Sequence, residues 1–215
     1  MKITKFGHCC LLIEDAGTMV LTDPGVFTPM DDVLAIADLY AVVITHEHAD
    51  HLHIESLKKI LEKNPQAKII TNTEVKDLLS QESIACEVVE NGASTTIGTM
   101  LIEAYGTQHA FMHEKIPQST NTGYFFAGKL FYPGDALTDP KRPVEILALP
   151  IAAPWVKISE VIDYALLIKP RHAFPVHDAI LATPEMFARI FNTGIKTFDT
   201  TIQLEILELA KPKEF

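Results

Sequence analysis

Tyr40-Ala41-Val42-Val43-Ile44, followed at once by Thr45-His46-Glu47-His48-Ala49-Asp50-His51, is the stretch on which the fold turns. The first part is apolar and mostly β-branched, the composition of a strand buried on both faces. The second part sets three imidazoles and the Asp50 carboxylate, with Glu47 beside them, into the six residues 46–51. A strand that ends in such a cluster delivers nitrogen and oxygen ligands to a sheet edge. Their common physical use is to hold a borderline divalent cation such as zinc. A solvated loop has no need of three histidines, because Lys, Glu or Ser would serve it as well. The competing reading is a surface cluster with no ligand.

Outward from that stretch the chain alternates between strands and helices. Before it come three short strands, Lys2–Phe6, Cys9–Glu14 and Met19–Thr22, with a turn at Asp15-Ala16-Gly17-Thr18, and then a helix over Met30–Leu39. After it, Ile54, Leu57, Ile60 and Leu61 share one face of a helix over Ile54–Glu62, which Asn64-Pro65 ends. Lys68–Thr71 is a strand, and Thr73–Ser80 a helix with Thr73 as N-cap. Strands follow at Val88-Val89, Ser94–Ile97, Met100–Ala104, Thr122–Phe126, Lys129–Tyr132 and Glu145–Leu149. The chain closes with a helix at Ser159–Ile168, a strand at Ala173–Val176, a helix from Pro184 to about Phe191, and a strand at Thr201–Leu207. Two sheets covered on the outside by helices satisfy this order. No linker or low-complexity segment marks a boundary, so residues 1–215 are read as one domain.

One loop cannot surround a metal. His46 and His48, two apart at a strand end, can point the same way, while Asp50 and His51 turn toward a second position. Further ligand-type side chains lie just past later strands: His109 in Tyr-Gly-Thr-Gln-His, Asp135 in Phe-Tyr-Pro-Gly-Asp, and His177 in Phe-Pro-Val-His-Asp. Singly, each reads as readily as a turn or cap residue. As an ordered set of strand-end stations they point to one rim. A carboxylate such as Asp135 can bridge two cations about 3.5–4 Å apart, as in two-metal hydrolytic sites. His113 competes with His109, which follows its strand more directly.

These residues resemble the metallo-β-lactamase-fold superfamily. His46-x-His48-x-Asp50-His51 matches its signature, and His109, Asp135 and His177 match the later ligand stations in order and setting. Phe6-Gly7-His8, Leu21-Thr22-Asp23-Pro24 and Leu149-Pro150-Ile151 ahead of a Trp are similar to the compact branch that holds the ascorbate-6-phosphate lactonase-like hydrolases. The resemblance implies an αββα sandwich of two mixed sheets with a dinuclear site at one edge. It implies one metal on His46, His48 and His109, a second on Asp50, His51 and His177, and Asp135 between them. One departure is His53, where many members have Gly.

The implied activity is hydrolysis of a small ester, lactone or phosphoester by metal-activated water, with Asp50 as the group that orients the water and moves its proton. The two cations are expected to be Zn, though the same ligands accept Mn or Fe. The alternatives are a nucleic-acid phosphodiesterase and a non-catalytic metal-binding sensor.

Five further residues have two readings each. His8 is either a packed histidine or a contact at the metal rim. Asp23 either orients a metal-bound His or makes an Asx turn with Pro24-Gly25. Trp155, the only Trp, is a substrate wall or a core aromatic. His172, ahead of the strand leading to His177, is structural or supports the site from outside, and His113 is a rim residue if not a ligand. The Gln108–Asn121 segment reads as a flap or an interface loop.

Composition narrows the partners. A net charge of −10 over 215 residues, without a basic stripe, argues against nucleic acid. No apolar run approaches a membrane span, and the N-terminal residues lack a signal-peptide core. Cys9, Cys10 and Cys86 form no C-x-x-C, the pattern of a reducing compartment. The expected setting is cytoplasmic, with a small-molecule substrate and no membrane. A homo-oligomer would find its contact at the apolar surface around Phe111–Met112 or Trp155.

Overall fold

The computed structural model describes residues 1–215. The first half of the chain forms β1 (Lys2–Lys5), β2 (Leu11–Asp15), β3 (Thr18–Thr22), α1 (Met30–Val33), β4 (Ala41–Val43), α2 (Ile54–Lys63), β5 (Lys68–Thr71), α3 (Thr73–Gln81) and β6 (Glu87–Val88). The second half forms β7 (Ser94–Ile97), β8 (Met100–Tyr105), β9 (Gly123–Phe126), β10 (Leu130–Tyr132), β11 (Ile146–Pro150), α4 (Ile158–Ile168), β12 (His172–Val176), α5 (Pro184–Phe198), β13 (Gln203–Leu204) and β14 (Pro212–Glu214). Two seven-stranded sheets result, ordered β14-β1-β2-β3-β4-β5-β6 and β13-β12-β11-β10-β9-β8-β7.

Strand periodicity explains the layers. Successive side chains of a strand point to opposite faces. Ala41 and Val43 therefore enter the core between the sheets, where they meet Tyr124, Phe126, Tyr132 and Phe174 of the second sheet. Val42 and Ile44 point the other way, against Leu57 and Ile60 of α2 and Val75 and Leu79 of α3. In the second sheet Phe125, Phe131 and Leu147 face outward onto Val161 and Ala165 of α4 and Phe191 and Ile195 of α5. The order of layers is helices, sheet, sheet, helices, as the αββα reading expects.

Strand direction then places the site. β3, β4, β5 and β6 run parallel, so their C-terminal ends share one edge of the first sheet. β8 and β10 both run antiparallel to β9, and β10, β11 and β12 are parallel. β8, β10, β11 and β12 thus also end together, at one edge of the second sheet.

Several elements differ from expectation. The helix expected over Met30–Leu39 is a single turn. Beyond it the Asn64 side chain takes over the backbone groups: Oδ1 accepts from Leu39 N–H at 3.0 Å and Nδ2 donates to Ile36 O at 3.1 Å. The N-cap of α3 is Asn72 rather than Thr73, its side chain accepting from Val75 N–H. α5 continues to Phe198 instead of Phe191, and the last expected strand shrinks to Gln203–Leu204. β14, which pairs antiparallel with β1, has no counterpart in the expected pattern.

Candidate metal centre

Each ligand candidate sits where a strand gives way to loop at the shared edge. His46, His48, Asp50 and His51 follow β4, His109 follows β8, Asp135 follows β10 and His177 follows β12. The fold brings all seven together as two adjoining groups. His46, His48, His109 and Asp135 form one, and Asp50, His51, His177 and His8 the other, with ligand atoms in each group within 4.8 Å of one another. Asp135 touches both. Its Oδ1 lies 3.0 Å from His51 Nε2, and its Oδ2 lies 3.0 Å from His177 Nε2 and 3.4 Å from His109 Nε2.

The far nitrogen of nearly every ring is occupied, which fixes the near one. His109 Nδ1 donates to Ala110 O at 2.7 Å, and His177 Nδ1 donates to Ala152 O at 2.6 Å. His51 Nδ1 lies 2.7 Å from Asp23 Oδ2, an atom that can only accept. Thr45 Oγ1 gives its hydrogen to Asp23 at 2.7 Å and so accepts from His46 Nδ1 at 3.0 Å. Such outer partners set the orientation of metal-binding imidazoles. Nε2 of His46 and Nδ1 of His48 converge to 3.1 Å.

The residues fit a cation on an observation of their own. His51 Nε2, His109 Nε2, His177 Nε2 and Asp135 Oδ1 are buried and have no hydrogen-bond partner. Leaving a buried polar atom unpaired costs about 1–3 kcal/mol. Here four such atoms lie together, with His51 Nε2 and Asp135 Oδ1 3.0 Å apart. They face a common space, as a ligand set does.

Charge tells the same story. Burial opposes a charged ring at His51, but Asp135 and Asp23 outweigh it and raise its pKa well above the ordinary value. Burial likewise opposes charge at His177, and Asp135 and Asp50 push it up to about 11. His46 goes the other way, driven well below its usual value by burial and by His51. Burial would raise Asp50 and Asp135, yet the imidazoles around them hold both well below the carboxylate range. The centre demands positive charge beside Asp135, and a divalent cation with neutral rings satisfies that demand.

The surroundings assign places to the remaining candidates. Asp23 is fully buried and gathers four donors: Thr45 N–H, Thr45 Oγ1, His51 Nδ1 and, at 2.6 Å, Tyr132 OH. It is a hub beneath His51 rather than a surface turn. His8 is buried, with Nε2 3.2 Å from Asp50 Oδ2. Trp155 donates from Nε1 to Asp135 Oδ2 at 3.0 Å, its ring 5.8 Å from that of His109. His113 is exposed and accepts from Lys115 N–H, and His172 pairs with Glu205 at the opposite end of β12 from His177. Neither joins a ligand group.

Residues that sequence reasoning did not single out complete the frame. Tyr132 and Thr45 hold Asp23, while Asn121 accepts from Asp135 N–H and donates to Pro133 O. Thr45 stood inside the quoted motif, but nothing around Tyr132 or Asn121 signalled a role. Two glycines allow close approach. A side chain at Gly25 would run into the carbonyl of Asp50, and one at Gly134 (φ +64°) into Asn121 and Thr45. His177 itself has φ +57°, a strained conformation held by its N–H to His8 O and by Nδ1 to Ala152.

The Gln108–Asn121 segment has no regular structure and is pinned over the site. His109 N–H donates to Ser119 O, Gln118 Nε2 to His109 O, and Ser119 Oγ to Glu47. Its tip exposes Phe111, Met112 and Ile116, while Val26 and Phe27 stand exposed on the β3–α1 loop and Ile180 on the loop after His177. No Lys or Arg pairs with Asp23, Asp50 or Asp135, whose partners among charged side chains are all histidines.

Comparison with known proteins agrees with this fold. A family model described as beta-lactamase superfamily domain matches residues 2–177. Protein Rv0786c of Mycobacterium tuberculosis is 37% identical over 212 residues, covering 96% of each chain. A UPF0173 metal-dependent hydrolase of Alkaliphilus metalliredigens is 28% identical over 213 residues, covering 90% of this chain and 94% of its own. In structure, the chain is similar to Igni18, a metallo hydrolase from Ignicoccus hospitalis, with a TM-score of 0.77, 19% identity, and coverage of 100% and 98%.

Proposed function

Because the chain belongs to the metallo-β-lactamase superfamily and is a metal-dependent hydrolase, we propose that it works with two divalent cations on a small carboxylic ester or lactone. The observation that carries this reading is the pair of adjoining ligand groups joined by Asp135. His46, His48 and His109 would hold one cation, Asp50, His51 and His177 the other, and Asp135 both. The imidazole and carboxylate donors suit zinc first, with Mn and Fe compatible. Bound there, the cations would bring the ionisation of water toward neutral pH and stabilise the negative charge that develops on the substrate.

The chain's own residues supply the rest. Asp50 is a quarter exposed, so its carboxylate can accept a hydrogen bond from a water at the centre and orient it. Trp155 steadies Asp135 from the outer side and keeps water from that flank. No side-chain nucleophile is called for, and Lys5, the one lysine among the buried residues, is committed to Asp178 and Pro175 O. The substrate class follows from the rim. Six exposed apolar side chains stand on loops at this edge: Phe111, Met112 and Ile116 after His109, Ile180 after His177, and Val26 and Phe27 on the β3–α1 loop, where Val26 N–H bonds to Ala49 O. With no cationic side chain joined to the centre, an uncharged substrate with an apolar body suits it better than a polyanion.

The test is elemental analysis of the purified protein, then turnover of lactones, carboxylic esters and phosphodiesters by wild type and His48→Ala. About two metal ions per chain and hydrolysis of the uncharged substrates by wild type alone are expected. Equal turnover by both proteins would overturn the reading.

A further inference from the structure

His8 lies among ligand atoms, yet its two ring nitrogens have different neighbours. Nδ1 is 3.2 Å from the backbone N–H of Ala179. An amide N–H only donates, so Nδ1 must be the bare acceptor, and the hydrogen of the neutral ring resides on Nε2. That nitrogen is 3.2 Å from Asp50 Oδ2, which accepts. A nitrogen that carries hydrogen has no lone pair for a metal. The same residue's carbonyl accepts His177 N–H at 3.0 Å, and its ring lies tilted against that of His177, 4.0 Å between centroids. Phe27 covers the ring's other flank at 5.1 Å, and His8 is 2% exposed.

We propose that His8 is a positioning residue for Asp50 and not a metal ligand. From the loop between β1 and β2 it holds two ligands that belong to different sheets. Its Nε2–H fixes the Asp50 carboxylate after β4, and its carbonyl supports the strained backbone of His177 after β12. The second ligand group then offers Asp50, His51 and His177 with Asp135 shared, and His8 adds no further ligand to it. This inference rests on reading the cluster as a metal-dependent hydrolytic site.

Two substitutions separate the two nitrogens. Asn at position 8 can accept from Ala179 N–H but is too short to reach Asp50. Gln can place a donor near Nε2. Wild type, His8→Asn and His8→Gln, each loaded with zinc, would be compared by zinc per chain, by imidazole proton–nitrogen correlation spectra, and by kcat and KM on the best substrate of the panel. The wild-type spectrum is expected to show His8 as the Nε2–H tautomer, and all three proteins to bind equal zinc. His8→Asn is expected to lose on the order of tenfold in kcat, the effect of removing an outer partner of a ligand. KM should change little, and His8→Gln should recover most of the loss. An Nδ1–H tautomer, or one zinc fewer in both variants, would show that His8 ligates and sink the proposal. Equal kcat losses in Asn and Gln would reduce His8 to packing and sink it too, as would no loss in either. If wild type hydrolyses nothing, the hydrolase reading fails by itself, and the tautomer and zinc counts still decide the role of His8.

Discussion

At the scale of single residues, the centre depends on groups one step behind the ligands. Tyr132 OH supplies one of the four hydrogen bonds that hold the buried Asp23 carboxylate in place beneath His51. Tyr132→Phe removes it without opening a cavity. A hydrogen bond to a charged group is worth about 1.5–3 kcal/mol, so urea unfolding should show a loss of that size. Metal affinity, read by competition with a chelating indicator, should fall on the order of tenfold. Gly25→Ala should be harsher. Its new methyl meets the Asp50 carbonyl, the signature loop must move, and elemental analysis should find less than one metal ion per chain. The proposed ligands were legible in the sequence because each is a polar residue next to an apolar strand. Tyr132 and Asn121 were not, since Tyr132 reaches Asp23 across 109 positions and nothing local announces that contact.

At the scale of elements, what was legible was whatever buries one face by itself. α2 and α4 came out within a residue or two of their expected bounds, because their apolar stripes are unbroken. α1 fell short because the distant Asn64 side chain satisfies backbone groups that a longer helix would have paired. α5 runs past Phe191 to Phe198, and Gly194 within that extension lies against Ile162 of α4 and lets the two helices approach. β14 was invisible because Pro-Lys-Glu has no strand pattern, and its charges suit a sheet edge. That edge carries a pH dependence. Lys213 holds the pKa of Glu205 below its ordinary value of 4.5, with His172 adding to the effect. A depressed carboxylate contributes stability that is full above the ordinary value and lost as pH falls through the folded one. Amide exchange in β14, corrected for intrinsic rates, should therefore stay slow at neutral pH and quicken below about pH 4. Lys213→Ala should remove most of that dependence.

At the scale of the molecule, the proposed ligands divide between the sheets. His46, His48, Asp50 and His51 extend from the first, and His109, Asp135 and His177 from the second. Both ligand groups take members from each, so a bound cation is a cross-link as well as a reagent. Stripping metal with a chelator should lower the thermal midpoint, and returning zinc should restore it. Free metal at a hundredfold its Kd stabilises the folded state by about 2.7 kcal/mol per site. An unchanged midpoint would mean that the groups do not bind metal in the folded state.

The same division makes the two sheets the jaws of a caliper. Their faces are spaced by the aromatic packing of Tyr124, Phe126 and Phe174 in the core between them. That spacing sets how large an ion the jaws admit. Trimming Phe126, which touches no ligand, would let the jaws settle closer, and the choice among zinc, manganese and iron would change with the gap.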